Sequence, residues 1–486
     1  MRANQVIQAA PEFRVLSRSQ MEEIHRRSLH ILERTGVAVY HEEALRLLKE
    51  AGAYLAGDNH VLIPPALAEE ALSWAPSSVT IYSRDGEPAM YLEDSRSYYG
   101  TGADCLYIID PYTGQRRNFV SADLVAGMKV CDALPNIDFV MSMGIISDVP
   151  RETYDIHQFV IMTANTSKPI VFQAQTPEIC KTIIEMAAAV AGGRDALRMR
   201  PFIILYAEPS SPLRHSHEAL GKLLAMAEAG LPTVYAPGIM VGATSAVTSA
   251  AALIQANAEI LSGLLIAQLK RKGSPFIYGA GTPPIDMGTM VCTYSAPEHM
   301  LRLAAMADMA RFYDLPSWGF AGCSDSKTLD LQAAAESGMW AVISAITGAN
   351  LVHDVGYLGS GLTMSLEMIV LNDELIGAVK SFMAGIKMDD EAFGEDVIHR
   401  IGTGGHFLGD DHTLRHFRGN WMPRLFDRSN YASWEAAGKP DLHSKANAKV
   451  KEILAGHTPK PLPEEKMEAL RRIVERFERE DGRLPK

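Results

Sequence analysis

The chain of 486 residues has little cysteine, and its cysteines are dispersed. They are odd in number and never form a C-x-x-C pair: Cys105, Cys131, Cys180, Cys292 and Cys323. Neither a disulfide framework nor a thiolate zinc site is therefore indicated. A reducing compartment is expected.

Basic clusters and long apolar runs are also missing. The chain has 46 Lys and Arg against 58 Asp and Glu, a net charge of −12, and no basic block that could follow a phosphate backbone. No stretch approaches about eighteen consecutive apolar residues, and the amino terminus lacks the apolar segment of a signal peptide. We expect a soluble cytoplasmic protein with no nucleic-acid or membrane partner.

Motifs for dinucleotides, phosphates and metals are weak or absent. No G-x-G-x-x-G turn follows the first predicted strand, and no Walker sequence occurs. His412 and His416 are four residues apart, with His399 and His406 nearby, but the glutamate of an H-E-x-x-H zinc motif is missing. We predict no metal site, and a structural metal at these histidines stays open as an alternative.

Eight short apolar runs are present between residues 98 and 354, and helix-length segments separate them. The runs cover residues 98–101, 137–141, 169–172, 202–206, 233–235, 276–278, 317–320 and 351–353. Their uniform apolarity is typical of parallel strands buried on both faces, and the segments between them have the three- and four-residue spacing of helices. The pattern predicts the α/β class and a (β/α)8 TIM barrel, with an open doubly wound sheet as the alternative.

The predicted barrel leaves chain at both ends. We assign residues 1–95 to an N-terminal α+β extension, 96–386 to the catalytic barrel, and 387–486 to a C-terminal helical or irregular extension packed on it. Helical patterns at 19–35 and 42–51 and strand-like pieces at 61–63 and 79–82 support the first extension. Charge, glycine and a polar helix at 464–479 mark the last. The barrel helices could also support a homo-oligomer.

Aromatic residues recur where the predicted strands end, although they make up only 7% of the chain. Reactive groups of a parallel barrel lie at these carboxyl ends. The rings found there are Tyr98, Tyr99, Tyr206, Tyr235, Tyr278, Trp318 and Phe320. Several ring faces with few lysines or arginines favour a soft cation such as a quaternary ammonium, and filling of the barrel interior is the alternative.

Polar residues and glycines share these strand ends. The polar ones are Gln173, Gln175, Glu208, His353 and Asp354. The glycines are Gly100, Gly102, Gly279, Gly281, Gly356 and Gly359, and Tyr357 follows Gly356 directly. Glycine lets a large, flat group approach the backbone closely. A phosphate cradle would need a Walker spacing and a following lysine, which are not found.

Five motifs carry a family resemblance. They are GCSDSK at 322–327 followed by Asp330, Gln332-Ala333 and Glu336, HDVGY at 353–357, QANAE at 255–259, SAPEH at 295–299 and GGHFL at 404–408. Together they resemble the trimethylamine methyltransferase family, over nearly the whole chain. The founding members use pyrrolysine to hold a methylamine for transfer to a cobalt corrinoid on a separate protein. This chain has no such residue, and the corresponding region is expected near Cys323 and Ser324.

The chain is therefore similar to the non-pyrrolysine branch, whose members demethylate quaternary amines such as glycine betaine. The resemblance implies a methyltransferase that moves a methyl group to the Co(I) corrinoid of a cognate corrinoid protein, with the cobalamin-type cofactor carried by that partner. Another methylamine such as trimethylamine, a barrel lyase or aldolase, and a non-catalytic betaine-binding barrel are the alternatives.

Roles for the strand-end residues follow from this resemblance. The aromatic residues would form a box around the ammonium, and His353, Gln173 or Gln175 would bind a substrate carboxylate. His353, Asp354 and Glu208 would position the substrate, and no residue is assigned as acid or base. The glycines and Tyr357 would face the corrinoid.

Overall fold

The computed structural model describes residues 8–9 and 11–480. The amino-terminal part contains β1 (Gln8–Ala9), α1 (Arg18–Arg34), β2 (Val37–Val39), α2 (Glu42–Glu50), β3 (Tyr54–Leu55), β4 (His60–Leu62), α3 (Pro65–Trp74), β5 (Val79–Tyr82) and β6 (Pro88–Leu92). Helix α1 begins where it does because Ser17 and Gln20 form a capping box that satisfies two free backbone N–H groups.

The central part alternates strands and helices. It contains β7 (Tyr98–Tyr99), β8 (Tyr107–Ile109), β9 (Arg116–Asn118), α4 (Ser121–Ala133), α5 (Tyr154–Asn165), β10 (Ile170–Phe172), α6 (Pro177–Ala191), α7 (Arg194–Met199), β11 (Ile203–Ala207), β12 (Arg214–His215), α8 (His217–Ala229), β13 (Thr233–Tyr235), α9 (Ser249–Lys270), β14 (Phe276–Ile277), α10 (Pro297–Phe312), β15 (Trp318–Phe320), α11 (Leu331–Thr347), β16 (Leu351–His353), β17 (Tyr357–Leu358), β18 (Thr363–Ser365) and α12 (Leu366–Met383). The structure is of the α/β class, as predicted.

The carboxyl-terminal part is mainly helical. It contains β19 (Ile386–Lys387), α13 (Asp390–Phe393), α14 (Glu395–Ile401), α15 (Asp411–His416), α16 (Tyr431–Ala436), α17 (Leu442–Gly456) and α18 (Glu464–Glu480). Helix α17 packs on α12 and α4, and α18 packs on α6 and α5. This part therefore wraps around helices of the central part.

Parallel pairings connect eight strand segments in sequence. β7 pairs through Gly100 with residues 139–140, which pair with β10; the series continues through β11, β13, β14, β15 and β16. β16 in turn pairs with β7, so the series returns to its first member. We call these eight segments the strand ring.

Side chains of the strand ring alternate between its interior and the surrounding helices. Val171, Ile204, Val234, Ile277 and Leu351 share one buried cluster with residues of the β5–β6 hairpin. That hairpin lies at the amino ends of the strands, because the Tyr82 N–H donates to the Pro201 carbonyl just before β11, at 2.8 Å. The amino ends are therefore covered, and the carboxyl ends are left for a site.

Helix α9 is the one helix in the described ranges long and apolar enough to cross a membrane. Most of it is buried inside the protein, where it packs against α1, α3 and α8. Its apolar character is accounted for by this position. Helix α1 and the parallel pairing of β2 with β12 attach the amino-terminal part to the same side of the ring.

Candidate active site

A cavity of about 300 Å³ lies at the carboxyl ends of the ring strands. Every ring segment contributes to its wall through its last residues or the loop that follows. The lining includes Ala103, Asp104, Met141, Gln173, Tyr206, Glu208, Gly238, Ile239, Met240, Gly281, Pro283, Cys292, Tyr294, His299, Phe320, His353 and Asp354. Within the described part of the chain, no lysine or arginine lines this cavity.

Three acids reach the cavity, and their hydrogen-bond partners are neutral. The Tyr357 hydroxyl donates to Asp104 Oδ1 at 2.5 Å, and the Tyr206 hydroxyl donates to Glu208. Removal from bulk water is the main cause that raises the pKa of Asp104, Glu208 and Asp354, and mutual repulsion adds to it for Glu208 and Asp354. A cation bound there would stabilise the ionised forms of these carboxyls.

His353 and Asp354 lie side by side at the cavity wall. Burial lowers the pKa of His353 to about 3, and its Nδ1–H donates to the Gly319 carbonyl at 2.8 Å. In this tautomer Nε2 is an acceptor, and it lies 3.2 Å from Asp354 Oδ1. Burial also raises the pKa of Asp354 well above its usual value.

His299 fixes the loop that carries Tyr294 over the cavity. Its Nδ1–H donates to the Tyr294 carbonyl at 2.8 Å, while the Thr282 N–H donates to Nε2 at 3.3 Å. Burial lowers the pKa of His299 to about 3, so this ring is also neutral. Tyr294 is thereby held at the wall.

Aromatic rings form one side and the floor of the cavity. Tyr206, Tyr294 and Phe320 reach the wall, and Trp318 lies beneath them in the ring interior. The Trp318 ring centroid is 5.3 Å from that of Tyr206 and 4.2 Å from that of His353. These rings offer faces to a cation at about 0.5 to 2 kcal/mol each.

Four of the aromatic residues predicted for the box lie away from the cavity. Tyr98 is at the amino end, where its hydroxyl accepts from the Tyr91 N–H at 3.0 Å. Tyr99 is packed beside Lys380 and α11. The hydroxyls of Tyr235 and Tyr278 contact His215 and Asn257 on the outside of the ring, at 2.8 and 2.7 Å. We therefore revise the box to Tyr206, Tyr294 and Phe320 over Trp318.

The two glutamines are separated. Gln173 lines the cavity, whereas Gln175 lies in an outer groove and donates to the Arg151 carbonyl at 2.7 Å. Gln175 is thus not positioned to share a ligand with His353.

Most of the predicted glycines serve internal packing. A Cβ at Gly100, Gly102, Gly279 or Gly356 would lie 2.2 to 2.7 Å from a neighbouring side chain, and Tyr357 is fully buried with its hydroxyl on Asp104. At these positions neighbouring side chains already occupy the space that an approaching corrinoid would need. Gly281 does line the cavity, and Gly359 has open space around it.

Cys323 and Ser324 lie just behind the wall. Cys323 is fully buried, and its carbonyl accepts from the Ser295 hydroxyl at 3.3 Å. The Ser324 hydroxyl donates to Glu336 at 2.6 Å. The GCSDSK motif therefore supports the loops at the site.

The C-terminal histidines are spread over exposed helices. The ring centroids of His412 and His416 are 4.4 Å apart and their planes are tilted by 46°, and His399 faces Glu395. No group of three potential metal ligands occurs in residues 8–9 and 11–480.

Asp104, Tyr294 and His299 were not among the predicted site residues. Asp104 follows the Gly100-Thr101-Gly102 turn, and Tyr294 and His299 flank the SAPEH motif. Their nearness to those motifs was the one sequence feature that pointed to them. The prediction considered the ends of the apolar runs, whereas all three residues belong to loops or helices.

Comparison with known proteins agrees with this geometry. A model of the trimethylamine methyltransferase (MTTB) family matches residues 1–482. The trimethylamine methyltransferase MttB of Desulfitobacterium hafniense (strain DSM 10664 / DCB-2) is 35% identical over 467 residues, covering 96% of this chain and 94% of that protein. The glycine betaine methyltransferase of Desulfitobacterium hafniense (strain Y51) is 32% identical over 465 residues, covering 94% and 96%.

Among solved structures, the monomethylamine methyltransferase MtmB of Methanosarcina barkeri shares the fold. Its TM-score is 0.55 at 12% identity, covering 96% of this chain and 89% of that one. Fold and site together define an α/β enzyme whose cavity, at the carboxyl ends of the ring strands, is lined by acids and aromatic rings. The chain belongs to the trimethylamine methyltransferase family. It is a methyltransferase of the kind that works with corrinoid proteins.

Proposed function

We propose that this methyltransferase takes a methyl group from a quaternary amine and delivers it to the Co(I) corrinoid of a partner protein. The observation that carries the proposal is the cavity, which combines three acids and three aromatic rings and, among the described residues, no lysine or arginine. A site of this composition binds a cation and desolvates it.

The architecture we propose for this function is a (β/α)8 barrel over residues 96–386, with the two extensions packed around it. The pairing of β16 with β7 supports closure, and the eight helices that follow the ring strands support the repeat. We also propose that the enzyme is cytoplasmic. The apolar helices of the barrel support the further proposal that it forms a homo-oligomer.

The residues of the chain would act by binding and orientation. Tyr206, Tyr294 and Phe320 would hold the ammonium, and Asp104 and Glu208 would balance its charge. The His353–Asp354 pair and Gln173 would fix its position along the cavity. A quaternary nitrogen already carries the charge that lets a neutral tertiary amine leave, so no acid or base from the protein is needed. The partner's corrinoid supplies the methyl acceptor.

The cavity fits the amine and not the corrinoid. Its volume of about 300 Å³ suits a small ion, whereas a corrinoid macrocycle is much larger. The cofactor would therefore stay on its carrier and approach the mouth. Met240 lines the cavity and is 41% exposed, which marks the loop after β13 as part of that mouth.

The test is anaerobic methyl transfer. The protein is mixed with cob(I)alamin, or with a cognate corrinoid protein, and a panel of quaternary amines, and methyl-Co(III) is followed by absorbance. We expect at least one quaternary amine to methylate the corrinoid. Binding of these amines with no methyl transfer to either acceptor would contradict the proposal and favour a binding protein.

Trimethylamine is the second candidate donor, because the MttB relative is 35% identical over nearly the whole chain. It belongs in the same panel. Methylation from trimethylamine and from no quaternary amine would select this alternative.

A further inference from the structure

We infer that the cavity takes a quaternary ammonium ion without a carboxylate, such as tetramethylammonium or choline, in preference to a betaine. This inference rests on the proposed function, because it names the class of amine for the same site. It follows from the hydrogen-bond donors and charges that the cavity wall presents to a substrate carboxylate.

The basic side chains just outside the cavity are already engaged. Lys222 lies in the outer groove next to Glu208, where its Nζ donates to the Ala174 carbonyl at 2.6 Å. Arg302 donates from Nη2 and Nε to the Thr282 carbonyl at 2.7 and 3.1 Å. Both side chains are thus held by backbone carbonyls behind the wall, and neither lines the cavity.

The two histidines also have no N–H to offer. The protonated nitrogens of His353 and His299 donate to the Gly319 and Tyr294 carbonyls, both at 2.8 Å. The other nitrogen of each ring faces Asp354 Oδ1 or the Thr282 N–H. A substrate carboxylate would therefore find only neutral donors, such as the Gln173 amide and the Tyr294 hydroxyl, which suit a hydroxyl group equally well.

The size of the cavity brings a carboxylate close to the acids. In glycine betaine one methylene separates the ammonium from the carboxylate, and both must fit in about 300 Å³ together with the Asp104 and Glu208 carboxyls. At a separation of about 6 Å and an effective dielectric constant of about 20, repulsion by one ionised acid lowers the affinity for the carboxylate by a factor of about 100. A carboxylate-free cation keeps the attraction to both acids and avoids this repulsion.

The primary test measures binding by isothermal titration calorimetry with tetramethylammonium, choline, glycine betaine and the methyl ester of glycine betaine. The ester is the matched control, because it keeps the ammonium and the methylene and removes only the negative charge. We expect the ester, choline and tetramethylammonium to bind about 100-fold more tightly than glycine betaine. Glycine betaine binding as tightly as its ester would overturn the inference.

Two variants test whether Asp104 and Glu208 cause the preference for the ester over glycine betaine. Asp104→Asn combined with Glu208→Gln should reduce the ester-to-betaine affinity ratio from about 100 to about 10 or less. Glu185→Gln, which removes one surface charge that pairs with Arg476, should leave the ratio unchanged. An unchanged ratio in a double variant with native circular dichroism would overturn the assignment. If that variant does not fold, the ester comparison in the unaltered protein still decides.

Methyl transfer separates this inference from the proposed function. Tight binding of glycine betaine followed by its demethylation would overturn the inference and leave the function standing. Failure of every quaternary amine to bind and to donate a methyl group would overturn both.

Discussion

The acids of the cavity control how pH acts on the site. Asp104 and Glu208 are bound by tyrosine hydroxyls instead of by basic groups, so nothing in the wall stabilises their charged forms as fully as a cation would. Their pKa values are accordingly raised, mainly because the surrounding protein removes them from bulk water. A bound cation would stabilise their ionised forms and so lower these pKa values.

Cation affinity should consequently rise with pH. A carboxyl with a raised pKa is protonated below that pKa and ionised above it, and only the ionised form attracts the ligand. Tetramethylammonium does not titrate, so its affinity should increase with pH through the raised titration range of Asp104 and Glu208 and level off once both are ionised. Calorimetry over that range, in buffers of different ionisation enthalpy, measures both the affinity and the proton release. A fall in affinity with rising pH would contradict the assignment.

Strand parity explains which site residues could be predicted from the sequence. Tyr206, Phe320 and His353 have the same parity as the interior residues Ile204, Trp318 and Leu351, two positions earlier in their strands. Tyr235 follows the interior residue Val234 and so points outward. Successive side chains of a strand alternate between the interior of the ring and the surrounding helices. These strands are apolar on both faces, so the sequence does not show which alternate residues point into the interior.

At the scale of elements, one buried asparagine connects four parts of the fold. Asn257 on α9 donates to the Ser28 hydroxyl of α1 at 3.0 Å and to the Tyr313 hydroxyl after α10 at 2.8 Å. It accepts from the Tyr278 hydroxyl at the end of β14 at 2.7 Å. This network accounts for a polar residue, in the QANAE motif, inside an otherwise apolar helix.

Replacing this asparagine should destabilise the protein. Asn257→Leu keeps the approximate volume and removes one hydrogen bond from each of three hydroxyls, so we expect a loss of about 3 kcal/mol in the free energy of unfolding. Asn118→Ala, at an exposed position on β9, is the control and should change stability by less than about 0.5 kcal/mol. Urea denaturation measures both. Equal effects of the two variants would show that the network does not contribute.

Element boundaries followed the sequence well where periodicity was strong. The predicted helices at 19–35 and 464–479 occur as α1 and α18 within one residue at each end. The apolar run at 137–141 forms only single bridges to its neighbours, and the short hairpins β8–β9 and β17–β18 were not predicted. Two- and three-residue strands in polar loops have too few positions to produce a recognisable alternation.

At the scale of the whole molecule, hydrogen bonds connect the carboxyl-terminal part to both the central part and the amino-terminal part. His457 contacts Asp132 at 2.8 Å, the Lys460 carbonyl accepts from Arg84 at 2.8 Å, and His157 contacts Glu478 at 3.0 Å. Leu470 of α18 is fully buried against the helices it covers. Such continuous contact favours one cooperative unit over three independent domains.

Unfolding should therefore be a single transition, and a change in α18 should lower the stability of the whole protein. Leu470→Ala removes a fully buried side chain and should cost about 3 kcal/mol, whereas Arg472→Ala, exposed on the same helix, should be nearly neutral. Far-ultraviolet circular dichroism follows the helices. Tryptophan fluorescence follows the ring and its surroundings once Trp421 and Trp434 of the extension are replaced by phenylalanine, because Trp74, Trp318 and Trp340 then remain. We expect both midpoints to fall together in Leu470→Ala. Loss of helical signal at a lower denaturant concentration than the fluorescence change would mean that the extension unfolds on its own, and residues 387–486 would then be a separate domain.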